Sequence, residues 1–118
     1  MDPELRTWLT ETMYVKLVTA VASDGTKTYG AATGYDCRTE PHSDIVGAEI
    51  SGLQTTAGRG GELLRTQHRI FTEQNVPPDA RIWLFGDSTS DATKARRIAR
   101  IDTRRDELGA VDHYEIFV

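Results

Sequence analysis

The chain has 118 residues, 38% of them apolar and 27% charged, which suits one soluble domain with its own core and is too short for two ordinary ones. Nothing approaches the ~18 consecutive apolar residues of a membrane span, and Asp2 and Glu4 near the start argue against a secretory signal. The single cysteine, Cys37, excludes an internal disulfide and a multi-cysteine zinc site, and the net charge of −4 argues against a dedicated nucleic-acid binder. The acidity is uneven: residues 1–62 carry nine acids and five bases, residues 63–118 nine of each.

Residues 1–12 predict a short N-terminal helix. Asp2 can cap it, Pro3 suits its first position, and Glu4 favours the positive end of its dipole. Leu5, Trp8, Leu9 and Met13 recur at helical spacing. That apolar face either packs on its own domain or, with Trp8, docks in a partner's groove.

The remainder reads as strands. Tyr14–Val21 is rich in Val, Thr and Tyr and stops at the turn signal Ser23-Asp24-Gly25. Tyr29–Glu40 ends at Pro41. Leu63–Thr72 alternates, with Leu64, Thr66, His68 and Ile70 on one face and Arg65, Gln67 and Arg69 on the other. Val76-Pro77-Pro78-Asp79 turns into a short strand, Arg81–Phe85, closed by Gly86-Asp87-Ser88. Residues 94–103 fit helix and strand patterns alike and are assigned to strand. Asp106-Glu107-Leu108-Gly109 then joins them to the last strand, Tyr114–Val118, as a hairpin with Gly109 free to take positive φ. The expected fold is mainly β: a small barrel of about six strands with a short helix and one long loop.

That loop is Asp44–Glu62, with five glycines among its 19 residues. Loops beyond about 12–15 residues are usually functional or disordered. Val46, Ala48 and Ile50 alternate with Gly47, Glu49 and Ser51 as a strand would, Gly52 follows, and Gly58-Arg59-Gly60-Gly61 gives a return. Such a segment can add a strand to a partner's edge. The expectation is that it projects from the barrel as a gate or intersubunit contact, ordered by other subunits.

Chemistry is sparse. His42, His68 and His113 lack ligand-spaced companions, and His68 reads as a hydrogen-bonded core residue. His113-Tyr114-Glu115 imitates the His-x-Glu of zinc deaminases without their Pro-Cys-x-x-Cys. Cys37 reads as a small buried hydrophobe. No nucleophile elbow, phosphate-binding loop or acid pair is present, so no catalytic, cofactor or metal residue is expected. The basic run Lys94, Arg96, Arg97, Arg100, Arg104 and Arg105 lacks interleaved aromatics and has Asp91, Asp102, Asp106 and Glu107 beside it. It reads first as a solvated strand and turn paired with acids of the same or an adjacent subunit, with Arg96, Arg97, Arg100, Arg104 and Arg105 as candidate intersubunit or DNA-proximal residues.

The C-terminal half resembles a known family. Arg100-Ile101-Asp102, then Asp106-Glu107-Leu108-Gly109, then His113-Tyr114-Glu115-Ile116-Phe117 looks like the closing hairpin of the head closure proteins of tailed phages, also called head-to-tail connectors or stoppers. Tyr35, Cys37, Arg38, Glu40 and Pro41 are similar to the family's second-strand motif, and Pro78, Asp79, Arg81 and Ile82 to its turn before a short strand. Gly86–Thr93 is longer than the family's usual turn. The resemblance implies a small β-barrel in a ring of six or twelve copies in the virion neck, made in the host cytoplasm. It implies portal and adaptor proteins on one side and a tail terminator or tail tube on the other, with no membrane and no cofactor. DNA slides through such a ring without specific binding, consistent with mild acidity. The competing readings are a nucleic-acid-binding barrel using the Lys94–Arg105 stripe and a small hydrolase that a bound metal would revive.

Overall fold

Short β-branched and aromatic runs separated by turn residues fold as antiparallel strands. The computed structural model describes residues 3–46 and 64–118, and in these the strands are β1 (Glu11–Lys16), β2 (Val18–Val21), β3 (Lys27–Tyr29), β4 (Thr33–Val46), β5 (Leu64–Thr72), β6 (Arg81–Trp83), β7 (Arg96–Arg97), β8 (Arg100–Arg105) and β9 (Val111–Phe117). Seven form one sheet in the order β7-β6-β1-β4-β5-β9-β8, and β2 and β3 pair as a separate ribbon. The mainly β fold expected from the sequence is therefore present, as a curled half-barrel. The curl follows from chain length: β7 and β8 end opposite sides of the strand order, yet only Ile98 and Ala99 separate them. Two residues reach roughly 7–10 Å, so the sheet must bend round to bring its two edges together. The backbone N–H of Ala99 donates to the Phe117 carbonyl at 2.8 Å, tying this link to β9.

The inner face carries the core. Met13 and Val15 of β1, Cys37 of β4, Ile70 of β5, Ile82 of β6 and Ile116 of β9 are fully buried there, with Val76, Ala80, Leu84 and Val118 closing the ends. The cross-strand pairs Ile70–Ile116 and Ile101–Ile116 put three isoleucines side by side on β5, β9 and β8.

Several boundaries differ from the sequence reading. The N-terminal helix expected over 1–12 is not seen; one turn, Pro3–Arg6, remains. Four residues cannot repay helix nucleation, whereas Glu11–Val15 gains ladder partners in β4 on one side and, from Tyr14, β6 on the other. Met13, assigned to the helix face, thus sits in the core of β1. The expected strand Tyr14–Val21 breaks at Leu17, because β1 stays in the sheet while β2 leaves it to pair with β3. Pro41 does not end β4. The strand runs on to Val46 across a register shift between Pro41 and Asp44, a bulge being where a strand tolerates a residue with no N–H. Asp44–Val46, assigned to the long loop, therefore pairs with Leu64–Thr66. Residues 94–103 divide into a 3₁₀ turn at Ala92–Lys94, β7 and the start of β8, because the chain crosses there from one sheet edge to the other.

The hairpin expected at Asp106–Gly109 is present, with Gly109 at φ +85°. At the β2–β3 turn Gly25 takes φ +89°, in keeping with the Ser23-Asp24-Gly25 signal. The β2–β3 ribbon is solvated on both faces for most of its length. A lone two-stranded ribbon is marginal in water, so its rigidity depends on what it packs against.

Candidate functional site

The outer face of β4, β5, β9 and β8 is built of interleaved arginines, carboxylates and rings. Alternation along β9 sends Ile116 inward and His113, Glu115 and Phe117 outward. Register then sets Arg69 opposite Phe117 and Phe71 opposite Glu115 on β5, and Asp102 opposite Glu115 and Arg104 opposite His113 on β8. Glu115, 7% exposed, lies at the centre. It accepts from Arg104 Nε at 2.8 Å and lies 3.3 Å from His113 Nε2 and 3.7 Å from Arg69 Nη1. Asp112 Oδ2 holds the other nitrogen of His113 at 2.6 Å. Arg69 also reaches Glu40 at 3.2 Å, and Asp102 lies 3.2 Å from Arg100 and 3.7 Å from Arg104.

Burial pushes the Glu115 carboxyl up, but the Arg104 hydrogen bond and charge, aided by His113, outweigh it and hold the group below its usual range. Asp112 is likewise held low, chiefly by His113. The arrangement is a charge-compensated lattice. Its carboxylates are committed to arginines and histidine, which suits a rigid face better than proton transfer to a substrate.

Aromatic rings extend the same face. Trp8 lies 5.0 Å from Phe71, and Phe71 lies 6.0 Å from His113. Guanidinium groups cover the rings: Arg38 over Trp8 at 5.4 Å, Arg69 over Phe71 at 4.9 Å and Arg100 over Phe117 at 4.2 Å. Of the docking residues singled out in the sequence, Trp8 thus packs on its own sheet. Leu9 lines a small 120 Å³ hollow with Arg6, Asp36, Glu73 and Gln74, and the side chain of Leu5 lies outside the description. Arg6 pairs with Glu73 at 2.9 Å and pins the segment. Replacing Trp8 with Ala is expected to cost the isolated protein about 2 kcal/mol, below the range for a fully buried ring because Trp8 is half-exposed. Chemical unfolding of the monomer measures it; an unchanged midpoint would remove Trp8 from the fold's support.

The basic run does not form one stripe. Lys94 sits in the 3₁₀ turn, Arg96 and Arg97 in β7, and Arg100, Arg104 and Arg105 in β8. Arg96 donates to Gln67 Oε1 at 3.2 Å and Arg105 to the Gly109 carbonyl at 3.0 Å, while Arg100 and Arg104 face acids. Of the middle loop, Val46 is the last residue of β4; Gly47, Ala48, Glu49, Ile50, Gly52, Gly58, Arg59 and Gly60 lie outside the described residues.

His68, expected to be hydrogen-bonded in the core, is half-buried with its Nδ1 lacking a hydrogen-bond partner among the described residues; burial, then Arg96, lowers its proton affinity. His42 packs edge-on against Phe117 at 5.2 Å. Among the described residues no group of three His, Cys, Asp or Glu side chains is placed to hold a metal. Cys37 is buried, and burial pushes its thiol up to about 11. It should therefore resist thiol reagents at pH 8 in the native state and react at once in denaturant; fast native labelling would contradict this.

A second feature had no clear sequence signal. Lys16 of β1 and Arg81 and Trp83 of β6 share the outer face at the other side of the sheet, where the 84–95 segment folds over them. Trp83 Nε1 donates to the Asp91 carbonyl at 2.9 Å, and Lys16 Nζ donates to the Thr89 carbonyl at 3.0 Å while lying 4.7 Å from the Trp83 ring centre. Arg81 lies over the Tyr29 ring at 5.3 Å. These groups line a groove of about 320 Å³.

No protein-family model matches this chain, and no curated protein matches it. No helix among the described residues is long and apolar enough to cross a membrane.

Proposed function

We propose that this chain is a structural protein of the phage neck, a head-closure component whose barrels form a ring between the portal–adaptor complex and the tail. In this reading the ring retains packaged DNA and offers the tail its docking surface. The observation that carries the proposal is the order and spacing of the family-like motifs, whose strand residues fall in one curled sheet. The Tyr35–Pro41 motif lies in β4, and the three parts of the closing-hairpin motif lie in β8, the turn after it and β9. Two features support an assembling role. The β2–β3 ribbon carries exposed Val21, and the apolar Phe85 and Leu108 are also largely exposed; a closed neighbour would cover surfaces a monomer leaves wet. The lattice around Glu115 pairs Arg100 and Arg104 of β8 with acids, which suits a wall along which DNA must slide.

The test is electron microscopy of particles made with and without this protein. The expected result is a ring of six or twelve copies at the neck, and its omission should give heads that lose DNA or fail to join tails. Normal tailed particles lacking the protein would overturn the proposal. The isolated protein should also show no steeply salt-dependent affinity for duplex DNA.

A further inference from the structure

The hairpin joining β8 and β9 ends in a rigid, acidic, apolar-tipped knob. Leu108 is 94% exposed, the most exposed of the large hydrophobic side chains described. The turn beneath it is held by five hydrogen bonds. Asp106 N–H donates to the Ala110 carbonyl at 2.8 Å and Gly109 N–H to the Asp106 carbonyl at 3.1 Å. Asp106 Oδ1 accepts from the backbones of Leu108 at 2.9 Å and Ala110 at 3.0 Å. Arg105 clamps the Gly109 carbonyl from the side. A leucine held out in water on so fixed a turn gains nothing for the monomer, and the order already present would not have to be supplied on binding. Glu107, beside it, has no ion-pair partner among the described residues.

The groove on β1 and β6 has the complementary character. Its walls are the Trp83 and Tyr29 rings, and Lys16 and Arg81 sit above those rings with no carboxylate partner among the described residues. A volume of about 320 Å³ equals roughly ten waters, room for a leucine side chain and part of its neighbour. Tip and groove lie on different strands, with β5, β4 and β1 between β9 and β6 in the sheet order.

We propose that the Glu107–Leu108 tip of one copy seats in the Lys16–Arg81–Trp83 groove of a second copy, with Leu108 against the rings and Glu107 meeting the two cations. The occupant is another copy of this chain because the chain itself presents a preorganised knob of matching charge and polarity. The contact is heterologous, joining two different patches, so repetition gives a ring if the rotation closes. This rests on the ring reading above and names one contact that builds it. A knob contact is small by itself, but each subunit in a closed ring makes two, which multiplies the effect of a defect.

Sedimentation of the full chain against concentration tests it. Leu108→Asp and Arg81→Glu should each weaken self-association at least about tenfold, with Leu108→Asp leaving thermal unfolding unchanged because the side chain touches so little. Mixed together, the two variants should form a one-to-one dimer and nothing larger, since one supplies a sound groove and the other a sound tip. Should Arg81→Glu unfold, Lys16→Glu replaces it. If the parent associates and Leu108→Asp associates equally well, the tip contact is overturned while the ring reading stands. A parent that stays monomeric to about 1 mM, a level at which even weak contacts form, overturns both.

Discussion

Replacing Glu115 with Gln is expected to destabilise the protein by about 2–3 kcal/mol. The carboxylate is almost fully buried and meets Arg104, His113 and Arg69 within 3.7 Å. An amide of the same shape keeps one acceptor oxygen but withdraws the charge, leaving the cations with weaker compensation. The Arg104 side chain, the main partner, is 52% exposed, so water screens part of its share of the loss. Arg69 would keep Glu40 at 3.2 Å, which limits the damage. The effect should depend on pH in one direction. Glu115 titrates below its ordinary 4.5 in the folded protein, so its stabilisation is complete above that value and is lost as pH falls through the folded value. The gap between parent and Glu115→Gln should therefore be wide near neutrality and shrink as pH falls below the ordinary carboxylate range. Urea unfolding at a series of pH values measures it. A gap that stays constant into acid would mean that the charge of Glu115 does not stabilise the sheet.

Ile116→Ala should cost more, about 3–4 kcal/mol, lowering the melting temperature by roughly 10–20 °C. Ile116 is fully buried and sits between Ile70 of β5 and Ile101 of β8, so the cavity opens at the join of three strands whose backbone pairing limits collapse. Against a total stability of about 5–15 kcal/mol, that places the variant near the threshold of folding. Ile116→Val removes one methyl group and should cost about 1 kcal/mol. Calorimetry of the three proteins gives the ranking. An Ile116→Ala loss no greater than that of Ile116→Val would show that the sheet closes over the missing side chain and that the three isoleucines are not a fixed seam.

Features set by near neighbours in the chain were legible in the sequence. Asp106–Gly109 had to turn because a flexible glycine follows acids between two strand-like runs, and Ser23-Asp24-Gly25 turned for the same reason. Alternation over Leu63–Thr72 put Ile70 on the core face, and a lone cysteine among strand residues read as core, as Cys37 is. These are properties of a few consecutive residues, with periods and turn preferences that hold in any tertiary setting.

What depended on residues far apart in the chain was decided by the tertiary structure. The spacing of Leu5, Trp8, Leu9 and Met13 is helical, yet Met13 pairs with Tyr35 in a sheet and Trp8 lies on Phe71, because long-range ladder bonds and burial outweigh a short helix's weak preference. The basic run is contiguous in sequence, yet the strand order assigns Arg96 and Arg100 to opposite edges of the sheet and gives them different partners. Glu115 looked like half of a false metal motif until β8 and β5 placed Arg104 and Arg69 against it. The groove of Lys16, Arg81 and Trp83 exists only because β1 and β6, some 70 residues apart, are neighbours. By itself the sequence determined which residues turn, which alternate and which prefer burial, since those follow from local sterics and hydrophobicity. Only the closing of the sheet determined which charges meet, because electrostatic partners are chosen by distance in space.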